Sequence, residues 1–388
     1  MTTCPTRATS SCRGFFEAIG IGVALSCSAV AADEGRTWAR HVVDAAKPWR
    51  SVFVAAVDLD QDGAKDIVTG AWWYRNPGDA GGRCVRDVIG APLNNMAVAH
   101  DFDRDGDPDI LGTRGEGSRA NAELVWAQND GAGRFVILDN VAAGDGDFLQ
   151  GVATGRCSVD LEQVALSWHI EGRGIQVLTV PPDPVRQPWP LEQISTVSQD
   201  EALSAGDIDR DGRTDLLLGT MWLRNGAGGW QVVRLADKPM PDRNRLVDVN
   251  GDGRLDAVVG FQAISTRGDV VWYEQPLDAR RTWLRRRIAT IIGPMSLDVG
   301  DVDLDGDVDV VAGEHHLADP SAAKLYLFEN LDGRGAEWRS QVVAVGDEHH
   351  DGAILTDIDD DGDLDIVSIG WSHGRVLLYE NLLSGADR

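Results

Sequence analysis

The sequence predicts an all-β fold, a seven-bladed β-propeller whose ring is closed by an N-terminal strand that completes the last blade. Three observations lead there. An acidic nine-residue loop recurs six times, each copy runs into a short β-branched segment, and no stretch sustains helical periodicity. Both apolar runs and loops recur at intervals of forty-odd residues or slightly more, the length of one four-stranded blade.

The loops come first. Their acidic or polar positions one, three, five and nine are Asp58, Asp60, Asp62 and Asp66; Asp101, Asp103, Asp105 and Asp109; Asp207, Asp209, Asp211 and Asp215; Asp248, Asn250, Asp252 and Asp256; Asp301, Asp303, Asp305 and Asp309; and Asp357, Asp359, Asp361 and Asp365. Glycine stands at position six of every copy, where a sharp turn aims the side chains at one centre. Three or four carboxylates in nine residues repel one another unless a cation neutralises them. A hard ion with six to eight oxygen ligands does so, and the expected occupant is Ca²⁺, one ion per loop and six in all. Position seven would add its backbone carbonyl: Ala64, Asp107, Arg213, Arg254, Asp307 and Asp363. An EF-hand needs an acid at position twelve, where this chain has Thr69, Gly112, Leu218, Val259, Ala312 and Ser368. A run of uncoordinated acidic turns would not keep ligand spacing through six copies.

The loops start at 58, 101, 207, 248, 301 and 357, so one interval is about twice the others. A degenerate third unit fills it. Residues 151–155 read as the strand before a loop and 164–168 as the strand after, while Gly155, Cys157, Val159 and Gln163 stand where ligands would be. Within each unit a strand enters the loop, a buried strand leaves it, an aromatic strand follows, and a strand often opened by Trp closes the blade, as at Trp230, Trp283 and Trp338. The seventh unit shows three strands. Trp38 to Val43 has the pattern of a fourth and is expected to pair near Val376 to Glu380.

Ahead of this strand, Arg7 and Arg13 precede the apolar run Ala18 to Leu25 and the small residues Ser28 to Ala32. Residues 1–32 are therefore expected to be a secretory signal peptide and 33–388 the propeller, placing the protein outside the cell or in a periplasm. Cys27 fits a lipidation site poorly, because Leu25 sits one position too close. Of five cysteines, Cys84 and Cys157 would remain. The blade assignment puts Cys84 on the outer strand of blade one and Cys157 on the inner loop of blade three, with a blade between them, so no bond between them is expected. A net charge of −26 in 388 residues argues against nucleic acid and anionic membrane as partners, and no membrane span is evident. The expected state is a monomer.

The loop pattern resembles the FG-GAP/VCBS-like repeat family, whose blades also build the head of integrin α subunits. The resemblance implies a seven-bladed propeller with calcium held on one face. The literal Phe-Gly-Gly-Ala-Pro string is missing, so integrin-type recognition is not implied.

Opposite the loops, six of the eight histidines fall on connections: His169, His315, His316, His349, His350 and His373. Glu314, Glu348 and Trp371 accompany them, and Arg50, Arg114 and Arg245 are expected on the same rim. Such a face suits a transition metal held by imidazoles, or a sugar. Packed loop-tip histidines with no ligand are the plain alternative. The strand tryptophans, Trp72, Trp73, Trp126, Trp222 and Trp272 among them, belong to packing between blades. Nucleophile-elbow, phosphate-loop, dinucleotide and paired-Cys zinc motifs do not occur. Two functions follow. The first is a binding or scaffold module for a carbohydrate or an extracellular protein. The second is a carbohydrate-active enzyme, a polysaccharide lyase or sugar dehydratase, with His315, His349, His350, His373, Glu314 and Glu348 as candidate catalytic groups.

Overall fold

A computed structural model describes residues 28–30, 38–78, 84–156, 161–170, 172–199, 201–237 and 240–383. Its strands form seven antiparallel sheets in a ring, a seven-bladed β-propeller. Blade one runs through Val54–Val57, Asp66–Thr69, Trp72–Arg75 and Val85–Val88. Blade three, the degenerate unit, keeps all four strands: Leu149–Gly155, Gln163–Trp168, Ile175–Thr179 and Leu191–Ser195. Blade five begins with Pro241–Val247 and blade six with Pro294–Gly300. The single helical element among the described residues is a 3₁₀ turn, Pro320–Ala322. None of the described helices is long and apolar enough to cross a membrane.

The ring closes as the sequence predicts. Trp38–Asp44 pairs antiparallel with Val376–Asn381, Trp38 opposite Asn381 and Asp44 opposite Val376. Ser28–Val30 adds a fifth strand outside it. Of the leader expected over 1–32, that strand alone is described. Cys84 is a half-buried free thiol; Cys157 lies outside the described residues, so the expectation about the pair does too.

Second strands are buried end to end, as in Asp109–Thr113 and Asp256–Phe261, because both faces meet a neighbouring blade. The apolar core is accordingly divided into seven clusters, one at each interface between blades. Trp73 of blade one packs with Ile110 and Val125 of blade two, and Trp272 of blade five with Val310 and Phe328 of blade six. Full burial of one such side chain stabilises by about 2–3 kcal/mol. Trp73, Trp126, Trp168, Trp222 and Trp272 are all at most 1% exposed, so they pack rather than offer a sugar platform.

Inner strands surround a central channel, and their ends define its two mouths. The acidic loops lie at one mouth. Connections between blades, and between second and third strands, lie at the other.

Candidate functional site

At the loop mouth, the six intact loops share one backbone. Position four is left-handed in all of them: Gln61, Arg104, Arg210, Gly251, Leu304 and Asp360 have φ between +56° and +70°. The position-six glycines have φ from +82° to +103°, which side-chain-bearing residues rarely adopt. The turn points the N–H of each of these glycines at the position-one carboxylate, at 3.0 Å for Gly63 and Asp58. Position nine is a brace. Asp109 accepts from the N–H of Phe102 at 3.1 Å and from Asn129 at 2.9 Å, tying the loop to the third strand. Burial pushes this carboxyl up to about 7, and that of Asp365 up to about 8.

Positions one and three behave differently. One oxygen each of Asp58, Asp60, Asp101, Asp103, Asp209, Asp301 and Asp359 is buried without a hydrogen-bond partner. Carboxylate oxygens of Asp101, Asp103 and Asp109 lie within 4.8 Å of one another, as do those of Asp207, Asp209 and Asp215, and of Asp301, Asp303 and Asp309. Buried, unpaired and convergent anionic oxygens are costly unless a cation meets them, so the donor set fits a hard divalent ion. Blade four carries an internal competitor: Arg224 pairs with Asp209 and with Asp211. Blade two has Gln128 at the matching place, donating to Asp103 at 2.6 Å.

At the opposite mouth, part of the histidine set converges. His315 Nδ1 lies 2.5 Å from Glu348 Oε1. Glu348 also accepts the N–H groups of His350 and Ser372, each at 2.8 Å. Burial would raise the Glu348 carboxyl, but the His315 bond, charge and these N–H groups hold it down at about 2. Burial also lowers His315. The two directions agree on an anionic Glu348 accepting from a neutral imidazole. The His315 ring stacks on His350, centroids 4.2 Å apart, and His350 meets Trp371 edge to face at 5.4 Å. Arg50 covers Trp371, its guanidinium 3.7 Å from the ring centroid and its Nε donating to the Trp371 carbonyl at 2.9 Å.

The remaining candidates do not join. His349 turns to Ser368, 2.8 Å from its Nδ1, and burial lowers its pKa to about 4. Glu314 accepts the N–H groups of Ile292 and Lys324, each at 3.0 Å, and serves the backbone. His373 reaches the Glu348 carbonyl at 2.9 Å, touching the cluster's peptide rather than its acids. Exposed His169 pairs with Asp147 in blade three. Arg114 pairs with Glu123 and Asp139, and Arg245 with Asp298 in the channel wall at 2.7 Å.

Beneath His350 lie charges that the histidine pattern does not reveal. Arg243 Nη1 is 2.5 Å from Glu201, and its Nη2 is 3.3 Å from Asp351. Asp242 stands beside them, its carboxyl pushed well up by burial and by Glu201. Burial lowers the Lys47 ammonium to about 8, although Asp351 opposes the shift. A cavity of about 130 Å³ in the channel touches Arg243, Arg245, Asp351, Gln150 and Ser296. His315, His350, Glu348, Glu201, Asp242 and Asp351 are all less than 7% exposed. The acid–base groups thus lie under Trp371 and Arg50 rather than open to a substrate.

Residues 248–312 match the FG-GAP-like repeat family, a span running from the blade-five loop through most of the second strand of blade six. No curated protein sequence matches the chain. Similar solved structures include a rhamnogalacturonan lyase PL11 from Bacillus licheniformis, at 13% identity and TM-score 0.45. Rhamnogalacturonan lyase YesW follows at 11% and 0.43. Each alignment covers 92% of this chain and 75% of the other. Likeness at this level concerns the fold alone.

Proposed function

We propose that this propeller, which carries an FG-GAP-like repeat, is an exported calcium-stapled scaffold that binds an extracellular carbohydrate or protein at the mouth opposite its loops. One observation carries the choice of binding over catalysis. The His315–Glu348 pair and its neighbours are sealed beneath Arg50 and Trp371, so they support a rigid rim instead of meeting a substrate. The calcium role rests on the unpaired oxygens of positions one and three. Calcium would link the first two strands of each blade, and its binding free energy would add to that of folding.

A lyase or dehydratase is the alternative, and the short His315–Glu348 contact favours it as a proton-abstracting pair. Trp371 and Arg50 would then have to swing aside. Affinity electrophoresis of the full chain through gels containing uronic-acid polysaccharides, with ultraviolet detection of unsaturated products, separates the two. The scaffold role predicts retardation that is lost in Arg50→Ala and Trp371→Ala, and no products. Product formation that His315→Gln abolishes would establish the enzyme instead.

A further inference from the structure

We propose that Glu201, Asp242 and His350 form a second kind of metal site, for a divalent first-row transition ion, in the mouth opposite the acidic loops. The three belong to different blades. Glu201 precedes the inner strand Ser204–Gly206 of blade four, Asp242 sits at the start of the blade-five inner strand, and His350 precedes Ile354–Thr356 of blade seven. One ligand atom from each lies within 4.8 Å of the other two, and all three residues are buried. His350 Nε2 is 3.9 Å from Glu201 Oε2.

A second observation, independent of this clustering, points to an occupant. Both carboxylate oxygens of Asp242 and both ring nitrogens of His350 are buried without a hydrogen-bond partner. Arg243 Nη1 comes within 3.4 Å of Asp242 and His350 Nδ1 within 3.2 Å of Asp351, yet neither contact has hydrogen-bond geometry. An orphaned buried carboxylate costs several kcal/mol, and an ion that ligates it removes the cost.

Charge agrees. Three carboxylates, those of Glu201, Asp242 and Asp351, surround the single guanidinium of Arg243. Arg243 engages Glu201 and Asp351 through different nitrogens, so it positions two acids and leaves Asp242 to the ion. Calcium is disfavoured: one imidazole and two carboxylates are too few oxygens, whereas zinc, iron and cobalt accept mixed nitrogen and oxygen donors. The channel cavity reaches Arg243 and Asp351, which flank the three ligands.

The test is calorimetric titration of the full chain with Zn²⁺ in saturating calcium. One tight equivalent is expected, weakened about 100-fold or more in Asp242→Asn and in His350→Gln, with calcium stoichiometry unchanged. No tight equivalent, or equal binding by both variants, would overturn the site; equal binding would assign the ion to an exposed histidine such as His169. Should the variants fail to fold, X-ray absorption of the Co²⁺-loaded wild type decides. Imidazole with oxygen donors is expected, and a shell with sulfur, or of oxygen alone, refutes it.

Discussion

Asn129 Nδ2 donates to the carbonyl of Leu59 at 2.8 Å, from the third strand of blade two to the loop of blade one. The contact recurs round the ring. Asn76 reaches Ile358, Gln275 reaches Ile208, Asn330 reaches Val249 and Asn381 reaches Val302. Each amide latches a blade to the position-two carbonyl of the loop before it. Removing Asn129 deletes its bond to Leu59 and the one it gives the Pro108 carbonyl at 3.1 Å, while the Leu59 carbonyl keeps the Gly133 N–H at 3.2 Å. Asn129→Ala is expected to cost about 1–3 kcal/mol, read as a lower urea midpoint with unchanged slope. An unchanged midpoint would mean the latch contributes nothing net.

Calcium removal should act on the same loops. With ion at about 100 times its Kd, each site contributes about 2.7 kcal/mol. Melting in excess chelator is therefore expected well below that in calcium, restored when calcium is returned. Identical melting curves would refute a structural role for the ion.

Blade four should bind calcium least tightly among the fully acidic loops, because Arg224 already pairs with Asp209 and Asp211. Arg224→Gln copies the residue blade two uses there, Gln128. Calorimetry should show one site tightening about tenfold, equivalent to about 1.4 kcal/mol. A weaker or unchanged isotherm would show that the guanidinium does not compete.

Asp347 predicts acid sensitivity at the ring closure. It accepts from Arg40 at 2.7 Å, from Tyr379 at 3.0 Å, and pairs with Arg375 at 2.8 Å. Burial would raise its carboxyl, yet Arg40 and Arg375 hold it below the usual range. A depressed folded pKa means the stabilisation is complete above the unfolded value, about 4, and is lost as pH falls through the folded one. Asp347→Asn should cost about 2 kcal/mol at neutral pH, less than a fully buried pair because both arginines are partly solvated. It should also flatten the stability–pH curve below about pH 4. A variant with wild-type acid dependence would place the titration elsewhere.

The blades were legible in the sequence because each loop writes its own signature locally: alternating acids, one glycine, then a β-branched run. Blade three was legible by its interval, and the closing strand by its missing partner. The mouth cluster was only half legible. Doubled histidines draw attention to His315 and His350, but Glu201 and Asp242 read as single acids in connections, indistinguishable from solvated charge. Ring geometry brings them together across about 150 residues of chain. One signal was present: Asp242, Arg243 and Arg245 charge a strand whose counterparts, such as Val54–Val57, are apolar. His349 shows the converse. Next to His350 in sequence, it faces a different neighbour, because the chain turns at His350 and Asp351, where Asp351 is left-handed.

The closing strand also sets an order of events during synthesis. His41 and Glu380 are 339 residues apart and meet at 2.7 Å. Trp38–Asp44 leaves the ribosome early and waits, unpaired, until Val376–Asn381 has been made. Individual blades collapse from local contacts in the meantime, and closure, which joins residues more than 300 apart, is expected to be the slowest step. Until it forms, blade seven presents an open sheet edge able to take a strand from another chain, so refolding yield should fall as protein concentration rises.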